Sequence, residues 1–276
     1  MTNIMIIAKK EIADLIGNKN IGFILITYFL LIITSAINVY DWAANGSLSD
    51  SQVLEVMFGW VSNAIMTYGS IIAIMVGFSA ISSEKHGSAL TTLTSKPLYR
   101  DSIINGKLLS CTFFLLLVFG LATTLYSSFL LIICGSSVGP VFVEYLYRLP
   151  FVFLMSSLIA FAYMSISFLI SIWVKRHGVA LLSTVITFMM LKTVIPTVSF
   201  AGNVFILTGN AEIYNWIMRL SPDTSFENIV LRGLYNPSID ILQIISGSWL
   251  DIVNLLLFVS IMMALCYISF IRRDIA

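Results

Sequence analysis

Long apolar runs separated by short polar stretches dominate the chain. Six runs are long enough to cross about 30 Å of hydrocarbon at about 1.5 Å per helical residue. They cover 21–39, 61–82, 108–134, 150–174, 178–200 and 250–271. A weaker apolar stretch within 204–247 is cut by Gly209, Pro222, Gly233, Pro237 and Gly247 into pieces too short to span. The pattern predicts an all-α polytopic membrane protein with six transmembrane helices, organised as one transmembrane domain over 1–276.

The polar pieces carry local signals of their own. In 1–20, Ile4, Ala8, Ile12 and Leu15 recur at helical spacing, with Lys9, Lys10 and Asp14 off the stripe. This predicts an interfacial helix over 3–16, turning at Gly17-Asn18 into the first span. In 83–107, Leu90 and Leu93 form an i,i+3 pair on a short helix ended by Pro97, and a second short helix is expected from Leu98 to Lys107. A small apolar face rimmed by charge suits docking into a groove on a partner, and a solvated connector is the alternative. In 201–249, Ile213, Trp216, Ile217 and Leu220 sit at helical spacing. Ser221-Pro222-Asp223 then reads as N-cap, first-position proline and first-turn acid, with Phe226, Ile229 and Val230 continuing an apolar face to Gly233. Two short amphipathic helices at or within the outer leaflet are expected, as an outer gate or a cap over the bundle. Broken helices at membrane depth need cover from protein or from a water-filled cavity.

Composition agrees with this. Hydrophobic types make up 58% of the 276 residues and charged types 11%, and mean hydropathy is +0.96. A soluble globule could not hide that much apolar surface. A formal net charge of +1 with no polybasic block argues against nucleic acid as partner. The charges are sided. Lys9, Lys10, Lys19, Lys85, Lys96, Arg100, Lys107, Lys175, Arg176, Arg272 and Arg273 fall on one side, eleven of the 15 basic residues. The other side carries Arg148, Arg219, Arg232 and nine acids. The positive-inside rule then puts both termini in the cytoplasm. Trp42, Trp60 and Trp249 fall at predicted outer ends and Trp173 at an inner end, as interfacial anchors do. The first run has no cleavage pattern after it and is expected to be retained. The lone Asn45-Gly46-Ser47 sequon is compatible with a prokaryotic inner, or cytoplasmic, membrane.

Catalytic patterns are missing. There is no phosphate loop of the Gly-x4-Gly-Lys-Ser/Thr type, no His-Glu-x-x-His and no Cys-x-x-Cys. His86 and His177 fall in polar links, so no histidine in a span can serve a membrane protease as base. Cys111, Cys134 and Cys266 lie far apart and read as small buried hydrophobes. The 12 methionines are scattered, as core packing would have them. No catalytic residue, metal ligand or bound cofactor is expected on this chain. Lys192 is the one ionisable residue deep in a predicted span. It lies about 21 Å along the helix from Gly178. It either lines a pathway, attracts an anionic headgroup, or snorkels outward with help from a kink at Pro196. Pro196, Pro222 and Phe226 join it as candidate pathway or gate residues.

The order of these features resembles the ABC-2-type permeases, the membrane subunits of ABC transporters. Ala8-x-Lys10-Glu11-Ile12 followed by Gly17-Asn18-Lys19 is like the family's N-terminal helix. Glu84-x-x-Gly87-Ser88-x-Leu90-x-x-Leu93-x-x-x-Pro97-x-x-Arg100-x-x-x-Ile104-x-Gly106-Lys107 is like its coupling loop between spans two and three. Leu220-Ser221-Pro222 before an amphipathic helix is like its segment before the last span. The likeness covers essentially the whole chain and is closest to the subgroup containing the permease of the nitrous-oxide-reductase maturation transporter. Thr91, Thr92 and Thr94 make the loop more polar than the family's leucine-rich pattern. The resemblance implies a non-enzymatic subunit that pairs with a second permease, identical or homologous, in the lipid bilayer. It also implies a separate ATPase subunit that binds ATP and Mg, and transport in the export direction. It assigns coupling to Lys10, Glu11, Glu84, Gly87, Leu90, Leu93, Pro97 and Arg100. Two other readings stand beside it: a secondary transporter acting without an ATPase, and a membrane-embedded enzyme or assembly factor. The first is opposed by the lack of an internal repeat and of further charges in the spans, the second by the lack of a catalytic constellation.

Overall fold

The computed structural model describes residues 3–45, 49–86, 100–174, 176–194 and 221–272, together with 206, 207, 209 and 218. Among them the chain is helical, without strands. Helix α1 (Asn3–Gly17) leads into α2 (Lys19–Asn45). Helix α3 (Asp50–Asn63) passes through a π-helical segment, Ala64–Gly69, into α4 (Ser70–His86). Helix α5 (Arg100–Trp173) is followed by α6 (His177–Met189), which ends in a second π-helical segment, Met190–Val194. Three shorter or final elements are α7 (Pro222–Leu231), α8 (Ile241–Gly247) and α9 (Trp249–Arg272).

Among the described residues, six helical stretches are long and apolar enough to cross a membrane: Lys19–Trp42, Asp50–Ile81, Asp101–Gly135, Val138–Trp173, His177–Val194 and Trp249–Arg272. They coincide with the six apolar runs and differ mainly at their ends. The second starts eleven residues earlier than its apolar run, because Asp50 and Glu55 lie on helical turns that hydropathy alone discounts. Ser49 opens it, its backbone N–H donating to the Gln52 carboxamide at 3.0 Å. The short helix expected over 98–107 is instead the first turns of the third span, continuous from Arg100. Residues 195–200 and the helix expected over 213–220, apart from Met218, lie outside the described residues.

Helix α5 holds two spans. A straight helix of 74 residues would run for about 110 Å. Yet the hydroxyls of Ser127 and Tyr145, 18 residues apart, meet at 3.2 Å. The chain therefore reverses between them, where Gly135, Gly139 and Pro140 fall. The expected outer loop over 135–149 is helical instead, and Arg148, counted from sequence as a loop charge, is buried in it at 1% exposure.

The buried apolar side chains form a continuous cluster contributed by every span. Small residues let the backbones approach. A Cβ added to Gly77 would sit 2.7 Å from the Met164 carbonyl oxygen, so the second and fourth spans touch there. Ser167 ties the same pair by donating to the Ile74 carbonyl at 2.8 Å. Cys111, Cys134 and Cys266 are free thiols buried in the interior. Trp42, Trp173 and Trp249 stay exposed, while Trp60 packs against the core.

The two ends of the bundle differ. At one end α1 packs on the start of the third span, and Tyr267 near the close of α9 meets Asp101. Both described termini thus lie at this end, called proximal below. At the distal end the turn over 232–240 is clamped onto the fourth span by Arg148. Its guanidinium donates to the carbonyls of Leu234 at 2.9 Å and Ile239 at 2.7 Å, and Glu144 pairs with its Nε at 2.6 Å. Gly233, at φ +95°, makes the turn that releases the chain from α7.

Candidate functional site

Two polar sites stand out in an otherwise apolar bundle, one near each end. The proximal one joins α1 to the spans. Glu11 falls on the inner stripe of α1 with Ala8 and Leu15, all buried, while Lys9, Lys10 and Asp14 face outward. Lys107 is fully buried on the third span. Its ammonium donates to the Glu11 carboxylate at 2.8 Å and to the Ala80 carbonyl at 2.6 Å. One cation thereby links α1, the close of the second span and the start of the third. Beside it Gly106 admits α1, since a Cβ there would meet Ile7 at 2.8 Å.

The sequence stripe on α1 is real, but it missed that Glu11 shares it. Of the residues assigned to coupling, Lys10 is exposed and Glu11 is engaged within the chain. Gly87, Leu90, Leu93 and Pro97 lie outside the described residues. Glu84 and Arg100 belong to helices that point into that segment, their side chains also outside the description. The described structure therefore brackets the loop on both sides, with the Glu11–Lys107 pair just behind it.

The distal site gathers residues from several elements around α7. Ser221 precedes α7 and Pro222 takes its first position, as the sequence predicts, although the Ser221 hydroxyl makes no capping bond. Helix α7 is not a surface cap. Pro222, Asp223, Thr224, Ser225 and Phe226 are all buried. Asn228 donates to Asp251 at 3.2 Å and Asn254 donates to Ser225 at 3.0 Å. The ladder falls in number on one helix as it rises on the other, so α7 runs antiparallel to the start of α9. Its N-terminus therefore points into the bundle and its C-terminus, with Arg232 near Asp251 at 3.5 Å, points out. An acid in the first turn suits that N-terminus, where unsatisfied N–H groups and the helix dipole favour negative charge.

Asp223 is that acid, and it is the partner of Lys192. The ammonium and carboxylate meet at 2.7 Å, with the lysine side chain 18% exposed and the aspartate 5%. Tyr163 of the fourth span donates its hydroxyl to the other carboxylate oxygen, and Phe188 packs edge-on to the Tyr163 ring at 4.9 Å. Lys192 thus does not snorkel free to the surface. It pins the inner end of α7 to the fifth span, while Tyr163 pins it to the fourth.

An open cleft of about 540 Å³ lies against this pair, lined by Ser62, Asn63, Met66, Thr67, Lys192, Asp223, Phe226, Glu227, Val230, Leu231 and Tyr235. Met66 and Thr67 stand on the first π-helical segment and Lys192 on the second. π-Helical turns widen the backbone and re-aim side chains, and they concentrate at functional sites. Asn63 and Tyr235 also line a second cavity of about 410 Å³, together with Trp42, Glu55, Val56, Gly59 and Trp60. The Tyr235 ring stacks on Phe58 at 5.3 Å and its hydroxyl bonds Ser62 at 3.0 Å. Burial pushes that hydroxyl up to about 12. On α7, burial raises the Glu227 carboxyl above its usual range, the Asp223 charge adds to this, and Lys192 opposes it. Of the gate candidates, Lys192, Pro222 and Phe226 are brought together here; Pro196 lies outside the described residues. Sequence reasoning missed Tyr163, Asp223 as the lysine's partner, Glu227 and Arg148. For Arg148 the signal was its i,i+4 spacing from Glu144 within an apolar stretch.

The chain matches the family model described as ABC-2 family transporter protein over residues 5–275. No curated protein matches it. A match over nearly its whole length means that the chain belongs to the ABC-2 family of transporter proteins.

Proposed function

We propose that this ABC-2 family chain is the permease subunit of an ABC transporter that works in export and is driven by a separate ATPase. The reading is carried by one observation above all: a whole-length family match on a six-span helical bundle with a distal polar cleft. The proximal end, with both described termini, faces the cytoplasm of a cell or inner membrane. There the loop between the second and third spans docks the ATPase. The residues for this contact are Leu90, Leu93, Pro97 and Gly87, with Glu84, Arg100 and the exposed Lys10 at its rim. Glu11 has a different part: through Lys107 it makes α1 and the feet of two spans move as one body.

Movement of the ATPase would then reach the distal cleft along the second span, which joins the loop to Asn63 and Thr67. A second permease, identical or homologous, completes the pathway. The closer likeness to the nitrous-oxide-reductase maturation subgroup leaves the substrate open. The test of docking is the double variant Leu93→Glu/Pro97→Glu. It should insert at normal level but lose at least about tenfold of the ATPase that copurifies with the wild type. Undiminished ATPase in that preparation would refute the docking site.

A further inference from the structure

We infer that the two distal cavities form one binding site for an organic cation with an apolar body. The inference deepens the permease reading by giving its substrate class, but the binding itself needs no partner. The cavities share Asn63 and Tyr235 and so adjoin. Their walls carry three carboxylates, Glu55, Asp223 and Glu227, against one described ammonium, Lys192. Lys192 is already held by Asp223 at 2.7 Å. Glu227 in the larger cavity and Glu55 in the smaller are thus left without a salt-bridge partner among the described residues. The two acids stand on different elements, α7 and α3.

Around these charges the lining is aromatic and aliphatic: Trp42 and Trp60 beside Glu55, Phe226 and Val230 beside Glu227. Glu55 and Glu227 are exposed at these walls, and carboxylates lining a low-dielectric cleft focus their field there and raise the local concentration of counter-ions. An anion is repelled by the net charge. A small hydrated metal ion leaves the apolar walls and most of the volume unused. A cation with an apolar or aromatic body gains from the carboxylates, from the indole and phenol faces, and from area removed from water. Volumes of several hundred Å³ suit a drug-sized molecule and exceed what a metal ion needs.

The probe is tetraphenylphosphonium, titrated calorimetrically into the purified full-length chain in detergent. Tetraphenylborate, of the same shape and opposite charge, is the comparison. Glu227→Gln and Glu55→Gln remove charge from exposed side chains, so folding should be unaffected; the elution volume on size exclusion checks this. Saturable binding of the phosphonium, weakened at least about tenfold in each variant and absent for the borate, is the expected result. Equal binding of both ions, or an affinity unchanged in both variants, would be partition into the micelle and would overturn the site. Either result leaves ATPase copurification untouched, so the permease reading stands or falls separately.

Discussion

At the residue scale, ion pairs explain how charge is kept in an apolar bundle: Glu11–Lys107, Asp223–Lys192 and Glu144–Arg148. Breaking a buried pair by removing one partner strands a charge and costs about 3–5 kcal/mol, whereas removing both costs far less. Lys192→Met should therefore lower the thermal stability of the detergent-purified protein more than Lys192→Met/Asp223→Leu does, and equal loss in the two would contradict the pairing. The pH dependence of the distal site has a definite sign. Among the described residues, Asp223 on its own helix and Lys192 on the fifth span act on Glu227, and Tyr235 on the turn lines the same cleft. With its carboxyl raised, Glu227 is neutral at low pH and ionises as pH rises through its elevated range. Phosphonium affinity should climb over that interval, and the climb should be smaller in Glu227→Gln. Lys192 was visible in sequence because a charge inside an apolar run stands out. Asp223 was not identified as its partner, because a pair 31 residues apart is made by tertiary packing alone. Glu11 was named from sequence as a coupling residue, but its place on the buried stripe was hidden, because only the facing Lys107 reveals that a carboxylate can sit there.

At the element scale, helix periodicity and span length were readable, and topology within the segments was not. The apolar runs gave six spans because 18 to 25 apolar residues have few other uses. Hydropathy could not show that the second span begins at Asp50, or that the third and fourth are joined by a helical reversal near Gly135. The polar residues there are satisfied by contacts that sequence does not display, as with Arg148 on the turn over 232–240. Helix α7 was found from its cap, but its inward direction follows only from its ladder with α9. Close packing makes Gly106 decisive. Gly106→Leu should push α1 off the third span, because the Ile7 side chain and the Ile4 carbonyl occupy the space of a Cβ. Faster amide exchange across residues 4–16 than in the wild type is the expected reading, and unchanged exchange would contradict the contact.

At the scale of the whole molecule, the two polar sites sit at opposite ends of the same helices. The second span carries the Ala80 carbonyl that holds Lys107 and, farther along, the Asn63 and Thr67 that line the cleft. A rigid rod of that kind can pass a displacement from the proximal loop to the distal cleft, and the π-helical segment beside the cleft is where it can yield. In the proposed reading a partner ATPase drives the loop. The most direct measurement is therefore to purify the tagged chain from its native membrane in mild detergent and quantify what accompanies it by mass spectrometry. The account predicts a stoichiometric ATPase subunit carrying the phosphate-loop motif. A chain that purifies without any ATPase, after crosslinking as well, would contradict it and leave a transporter that acts alone.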